Sequence, residues 1–546
     1  MKKISILTLF CLFLSITLFA QDGKIKNVIL MIPDGTSLSA VSAARWYQRY
    51  SNPEKPNLNI DPYLCGTILT YSSNAPIGDS APTTSTYMTG YPSRPGYVST
   101  YPVADPKNDI IPSDPEKAFQ PLMTAWEAAR LNKNKAVGLV FTCEFPHATP
   151  ADCMSHTYNR GKYEWIAPQM AHNQIDVLIG GGTKYLSPED ETYLKNNGYG
   201  VFRDNINGFR THYGNKMWAL FGESDVAYDI DRNPAEQPSL AEMTQKAIEK
   251  LSRNADGFVL MVEGSKIDWA AHANDAVAII TETLAFDKAC GVALDFAKKD
   301  GNTLVIIVPD HGNSGFSIGS SKCPDYGGTS AEKLFGGISK FKATAGVLTN
   351  KLQNTAPAQL KTVFNELTGI DISDDNYREI NRARDYRQST LSSSERSGTT
   401  LSNVVAKIIN DNNCFGFTTG GHTGEEVFLA VYDPTSDRMM GHHTNIELNH
   451  YIRKSLGLSA SLEELTDEYF AKHTDVFKDF TCTITEKNGN PVLEVKNQKT
   501  KLEITPNTSV VKYNNKEVQL ESVIIHVDKN NTFYLPQSLK ELMIQK

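Results

Sequence analysis

Short clusters in separate parts of this chain place carboxylates, imidazoles and hydroxyls where they can hold divalent cations or attack an electrophile. Glu263 is followed by Asp268 and His272. With a helix opening near Ile267, the latter two lie i, i+4 on one face, where a carboxylate and an imidazole can share one zinc ion. Glu263 offers oxygen to a harder ion such as magnesium. Asp310 and His311 stand side by side ahead of Gly312, and neighbours on an irregular turn can both face one metal. His422 sits in Thr419-Gly420-Gly421-His422-Thr423-Gly424, where glycines let the backbone approach an ion. Thr149, in His147-Ala148-Thr149-Pro150, carries a hydroxyl oxygen suited to magnesium, and Arg160 carries the planar fork that binds two oxygens of a phosphoryl group. Ser80, in Asp79-Ser80-Ala81-Pro82, heads a Thr/Ser-rich segment closed by Gly90. At the positive end of a helix its hydroxyl can act as a nucleophile.

Taken singly, each cluster has an ordinary explanation: a helix-capping serine, a weak surface ion pair, a loop histidine, a surface arginine. Their positions relative to the apolar runs argue otherwise. Residues 26–32 form a continuous apolar run ending in Pro33-Asp34-Gly35-Thr36, which places Asp34 at the carboxyl end of a buried parallel strand. Further strands are expected at 137–141, 175–179, 257–262, 303–308 and 427–432, with helices at 39–50, near 122–131, and at 240–251, 276–299 and 445–456. This alternation predicts an α/β three-layer sandwich: a large, mostly parallel central sheet, helices on both faces, and sites at the strands' carboxyl ends. Most of the clusters fall at those ends.

Residues 1–20 join two lysines to an apolar run and a small residue before Gln21, the pattern of a secretory signal peptide with export to the periplasm or the medium. Its removal takes the net charge from -8 to -10, because Lys2 and Lys3 are lost. That balance argues against nucleic acid and anionic membranes as partners and fits metal cations better. No later stretch is apolar enough to span a bilayer. Of the 8 cysteines, Cys11 lies in the leader, and the others show no CxxC pair and indicate no particular disulfide. From 315 to 415 the rhythm gives way to Gly/Ser-rich and charged segments such as 382–402, read as an insertion over the site within a catalytic domain spanning 21–462. Residues 463–546 read as short strands separated by Asn-Gly and Asn-Asn turns, a small β-rich C-terminal accessory domain.

The set Asp34-Gly35, Asp79-Ser80-Ala81, His147-Ala148-Thr149-Pro150 with Arg160, Glu263 with Asp268 and His272, Asp310-His311, and His422-Thr423-Gly424 resembles that of the alkaline phosphatases in order and spacing over roughly residues 24–460. The resemblance implies two zinc ions, one held by Asp268, His272 and His422 and the other by Asp34, Asp310, His311 and the Ser80 oxygen. It also implies one magnesium ion held by Asp34, Thr149 and Glu263. Phosphate monoesters would then be hydrolysed through a phosphoserine on Ser80, with Arg160 gripping phosphate oxygens, in a homodimer. His147 stands where bacterial members often have Asp, and Trp269 where Lys or His is common. His147 is therefore expected to reach the third ion through water, and Trp269 to supply no cation. The alternative within the same superfamily is a phosphodiesterase. A sulfatase is disfavoured because Ser80-Ala81-Pro82-Thr83 runs into Thr84 where that class carries arginine.

Overall fold

The computed structural model describes residues 25–323, 327–385, 400–458, 460–487 and 489–544. The predicted leader with Cys11, and most of the charged stretch 382–402, lie outside them. Ten strands form the central sheet: β1 (Asn27–Ile32), β2 (Leu64–Leu69), β3 (Ala136–Glu144), β4 (Val177–Gly181), β5 (Gly200–Arg203), β6 (Met217–Phe221), β7 (Phe258–Glu263), β8 (Thr303–Ile307), β9 (Val427–Tyr432) and β10 (Gly441–Thr444). Their spatial order is β10-β2-β9-β8-β1-β7-β3-β4-β6-β5. β9 runs antiparallel to both β2 and β8, while β1 is parallel to β7 and β8 on either side.

Strand geometry sends alternate side chains to opposite faces, and the core divides accordingly. Val28, Leu30, Ile32, Met261, Leu304 and Ile306 join one apolar cluster, whereas Ile29, Met31, Leu260, Val262, Val305 and Ile307 join the other. Both faces being covered, β1 is buried along its whole length, which is why it reads as an unbroken apolar run. Six helices bear on the site: α1 (Leu38–Ser51), α2 (Ser80–Thr89), α3 (Ala148–Met154), α4 (Lys266–His272), α5 (Ala276–Asp300) and α6 (Asn445–Leu456). α2, α3 and α6 pack on the first face, and α5 packs on the second. The result is the predicted three-layer α/β sandwich.

The segment 315–415 is more regular than its composition suggests. Helices Ala331–Phe335, Ala345–Gln353, Leu360–Thr368 and Leu401–Asn413 surround a third apolar cluster built on Phe335, Leu348, Leu352, Phe364 and Ile409, which continues into Ala43 of α1 and Ile280 of α5. A disulfide joins Cys323 to Cys414 across 91 residues. Towards the C-terminus, five antiparallel strands from Thr481–Lys487 to Lys516–Gln519 form one sheet. The helix Leu462–Tyr469, which the strand-like reading omits, packs with Tyr534 and Val523 against Met123 and Ala128 of the main body. No helix among the described residues is long and apolar enough to cross a membrane.

Candidate metal centre

The candidate side chains that adjoin strands gather at one end of the central sheet, the carboxyl end of its parallel strands. Asp34 follows β1, Glu263 ends β7, and Asp310 and His311 follow β8. His422 precedes β9, and because β9 is antiparallel, its entry lies at the same edge as the other strands' exits. A short antiparallel pairing of His422 with Asn313 and of Thr423 with Gly312 ties that loop to the Asp310-His311 loop. The turn after β1 requires glycine. Gly35 has φ +58°, and a Cβ there would lie 2.3 Å from Asp268 Oδ1.

Backbone donors and acceptors fix how each ligand-type group points. Asp310 Oδ1 accepts N–H bonds from Gly35 and His311, both at 3.0 Å, leaving Oδ2 buried without a hydrogen-bond partner. All three imidazoles place Nδ1 on a backbone carbonyl: His272 on Gly420 at 2.8 Å, His311 on Gly312 at 3.0 Å and His422 on Gly78 at 2.8 Å. A carbonyl accepts only, so each Nδ1 carries a proton and each Nε2 is the nitrogen left to face the pocket. Those Nε2 atoms converge. His272 Nε2 lies 3.1 Å from His422 Nε2 and 3.4 Å from Asp268 Oδ2, and His422 Nε2 lies 3.7 Å from Asp268 Oδ1. His311 Nε2 lies 3.5 Å from both Asp34 and Asp310 and 3.2 Å from Ser80 Oγ.

The pocket therefore gathers buried acceptor atoms that no protein donor reaches. Both Asp34 oxygens, Glu263 Oε1, Thr149 Oγ1 and Asp310 Oδ2 are buried and unpartnered, and orphans of this kind call for an unseen partner. Burial, then repulsion from Asp310, Asp268 and Glu263, raises the Asp34 carboxyl far above the usual range. Burial is also the main cause pushing Glu263 up to about 8. Burial acts on Asp268 in the same direction, but the bond from His272 and the nearby imidazoles hold it below the ordinary value. Bonding to Asp268 lifts His272 to about 9. Buried carboxylates, bare imidazole nitrogens and a threonine hydroxyl fit divalent cations, zinc at the histidines and a harder ion at the oxygens. Three-residue groups able to hold an ion form around Asp34, Asp310 and His311, around Asp268, His311 and His422, and around Cys143, His147 and Glu263.

Ser80 is the first residue of α2, with Asp79 in extended conformation before it and Gly90, left-handed at φ 77°, after it. The helix is entirely buried although rich in β-branched threonine. Its hydroxyls bond back to carbonyls within or just ahead of the helix, as Thr83 does to Asp79, Thr86 to Pro82 and Thr89 to Ser85. Tyr87 Oη donates to the Pro309 carbonyl at 2.7 Å, locking the serine helix to the Asp310 loop. Asp79 does not cap the helix. It pairs with Arg160 and accepts the Gly96 N–H at 3.1 Å. Arg160 Nη2 lies 3.0 Å from His147 Nε2, so two partners aim the guanidinium.

Several contributing residues carry no signal in the sequence. Asn313 Nδ2 donates to Asp268 Oδ1 at 2.6 Å. Asp79 adjoins the serine in the motif, yet its partnership with Arg160 spans 81 residues. Trp269 supplies no charge of its own. Lys266 places its Nζ 3.9 Å from the centre of the Trp269 ring and is itself paired with Asp225.

The chain is similar to known proteins over most of its length. The family model described as alkaline phosphatase matches residues 25–458. Alkaline phosphatase 3 of Bacillus subtilis is 31% identical over 471 residues, covering 81% of this chain and 92% of that protein. The Thermus thermophilus alkaline phosphatase structure is similar with a TM-score of 0.68 at 25% identity, over 81% of this chain and 94% of that one. A variant of the TAB5 alkaline phosphatase, solved with Mg bound in its M3 site, gives a TM-score of 0.54 at 25% identity, over 80% of this chain and 99% of that one.

Proposed function

The chain belongs to the alkaline phosphatase family, whose members are metal-dependent phosphoric monoester hydrolases, and we propose that it works through a phosphoserine formed on Ser80. In this reading Asp268, His272 and His422 hold one zinc. Asp34, Asp310 and His311 hold a second beside Ser80, and Asp34, Thr149 and Glu263 hold magnesium. The observation that carries it is the arrangement of the imidazoles: three Nδ1–H groups spent on backbone carbonyls, and three Nε2 atoms turned on buried carboxylates. When bound, the ions supply positive charge to the attacking and leaving oxygens of an in-line displacement.

The chain's own residues do the rest. α2 presents Ser80 Oγ at its positive end, where an anionic phosphoryl group is favoured. Arg160, held by Asp79 and His147, offers parallel N–H donors to two non-bridging oxygens and offsets their charge as it builds. Ser80 Oγ bonds to phosphorus as the bond to the alcohol oxygen breaks, and the serine proton leaves with the alcohol. Water then attacks phosphorus from the vacated side, inorganic phosphate departs and Ser80 regains its proton. Transfer of labelled phosphate from an aryl phosphate onto the Ser80 peptide, and its loss in Ser80→Ala, tests the assignment.

Residues 1–20 are read as a cleaved leader that takes the enzyme to the periplasm or the medium, residues 463–546 as an accessory domain, and the working unit as a homodimer.

A further inference from the structure

At the other end of the sheet, beside the amino ends of β3, β4 and β6, lies a cavity of about 570 Å³ lined by Arg130, Lys135, Lys216, Lys250 and Arg253. The metal centre sits where the parallel strands end, and β3, with its 9 residues, separates the two ends by roughly 25 Å. Those basic side chains share the cavity with two carboxylates, Asp176 and Glu521, in a chain whose net charge is -8. Neutral groups hold most of the cations. Lys250, 2% exposed, donates to the His212 carbonyl at 2.7 Å, and Lys216 stands 5.0 Å from the centre of the Tyr199 ring. Arg130 donates to the Asn173 amide oxygen at 3.3 Å and to the Glu521 carbonyl, and its Nε is buried without a partner. Lys135 donates to the carbonyls of Lys26 and Asp256, both at 2.8 Å, while Arg253 pairs with Glu249. Carbonyls and rings orient a cation without cancelling its charge. Burial accordingly brings the Lys250 ammonium down to about 8.

Helix dipoles explain part of this. Arg130 and Lys250 sit in the last turns of helices Ala125–Lys133 and Leu240–Leu251, where cations are favoured. Lys216 belongs to no helix, and a concave surface lined by one sign of charge concentrates ions of the other. We propose that this cavity is a second, non-catalytic binding site whose ligand is a small polyol carrying several phosphate groups. Ammonium and guanidinium groups suit phosphoryl oxygens. The amides of Asn134, Gln174 and Asn215 stand among them and can pair with hydroxyls. The volume admits a whole small molecule. A single phosphate would leave most of the cations unmatched, so the ligand carries more than one. It binds intact, with no bond made or broken.

The test titrates the zinc- and magnesium-loaded protein with myo-inositol hexasulfate, a polyol whose sulfate esters a phosphomonoesterase leaves intact, and follows the heat of binding. One equivalent per chain is expected, with an affinity that falls as salt is added. The affinity should drop roughly tenfold or more in Lys216→Glu and in Arg253→Glu, two partly or fully exposed positions where charge reversal leaves the fold standing. It should be unchanged in Lys361→Glu, which reverses an exposed charge in the insertion. Hydrolysis of an aryl phosphate by Lys216→Glu is expected to keep its kcat and KM, since the cavity lies at the opposite end of the sheet from Ser80. Absence of binding, or binding that neither cavity variant weakens, overturns the site and leaves the phosphatase reading untouched. Displacement of the hexasulfate by an equal concentration of inorganic phosphate overturns the requirement for several charges on one ligand.

Discussion

Removing the metal is expected to reverse the pH dependence of this protein's stability. Glu263 is completely buried, and burial is the main cause lifting its carboxyl from 4.5 to about 8 in the metal-free fold. A carboxyl whose pKa is higher folded than unfolded takes up protons on folding, so its charge-free state is favoured below the unfolded value and the fold loses stability as pH rises towards the folded one. At about 1.4 kcal/mol per pH step between 4.5 and about 8, Glu263 alone costs up to roughly 5 kcal/mol. Asp34, raised by burial and then by Asp310, acts with the same sign. His272, raised to about 9, adds a loss between 6.5 and that value. Asp268 is depressed, so its contribution vanishes only below 3.8 and does not tilt this window. Metal reverses the sign, because its ligands must be deprotonated to bind it. Thermal melts of chelated and zinc- and magnesium-loaded protein from pH 5 to 9 check this. The chelated protein should lose on the order of 5 °C or more across the range, while the loaded protein holds or gains. Parallel curves would refute the claim that these carboxylates face a cation.

Two substitutions probe how the site is held. Gly35→Ala places a methyl 2.3 Å from Asp268 Oδ1 at φ +58°. It is expected to cost roughly 1–2 kcal/mol of backbone strain and to lower zinc retention about tenfold or more, read by melting and by metal content after dialysis; an unchanged metal content would contradict the contact. Asp79→Asn removes the charge paired with Arg160. The KM for an aryl phosphate and the inhibition constant for inorganic phosphate should rise together, by roughly tenfold or less, with the metal content unchanged. Steady-state kinetics decide, and unchanged constants would show that the pair does not aim the guanidinium.

Apolar runs made the middle of the fold legible. β1, β8 and β9 are buried on both faces, so their sequences cannot alternate and stand out against the helices around them. Edge strands left weaker traces: β2 is half exposed and interrupted by Gly66, and β10 is Gly-His-His-Thr. The direction of β9 is invisible in sequence, yet it decides that His422 reaches the same edge as Asp310. In the insertion, charged outer faces dilute the helical period of segments whose inner faces carry Leu348, Leu352 and Ile409. The Cys323–Cys414 disulfide has no local signature at a separation of 91. The same distinction holds at the site. Asp34, Glu263 and Asp310 adjoin strands and could be read from them, whereas Asp79 on Arg160, Asn313 on Asp268 and Cys143 beside Glu263 arise only when distant segments meet.

The most direct measurement mixes chelated and metal-loaded protein in parallel with an aryl phosphate carrying labelled phosphorus, quenches in acid and maps the label. Label on the peptide containing Ser80 only in the loaded protein, none in Ser80→Ala, and hydrolysis that follows the same pattern are the predicted results. Full hydrolysis by the chelated protein, or by Ser80→Ala, would contradict the serine and the metal centre on which everything else depends.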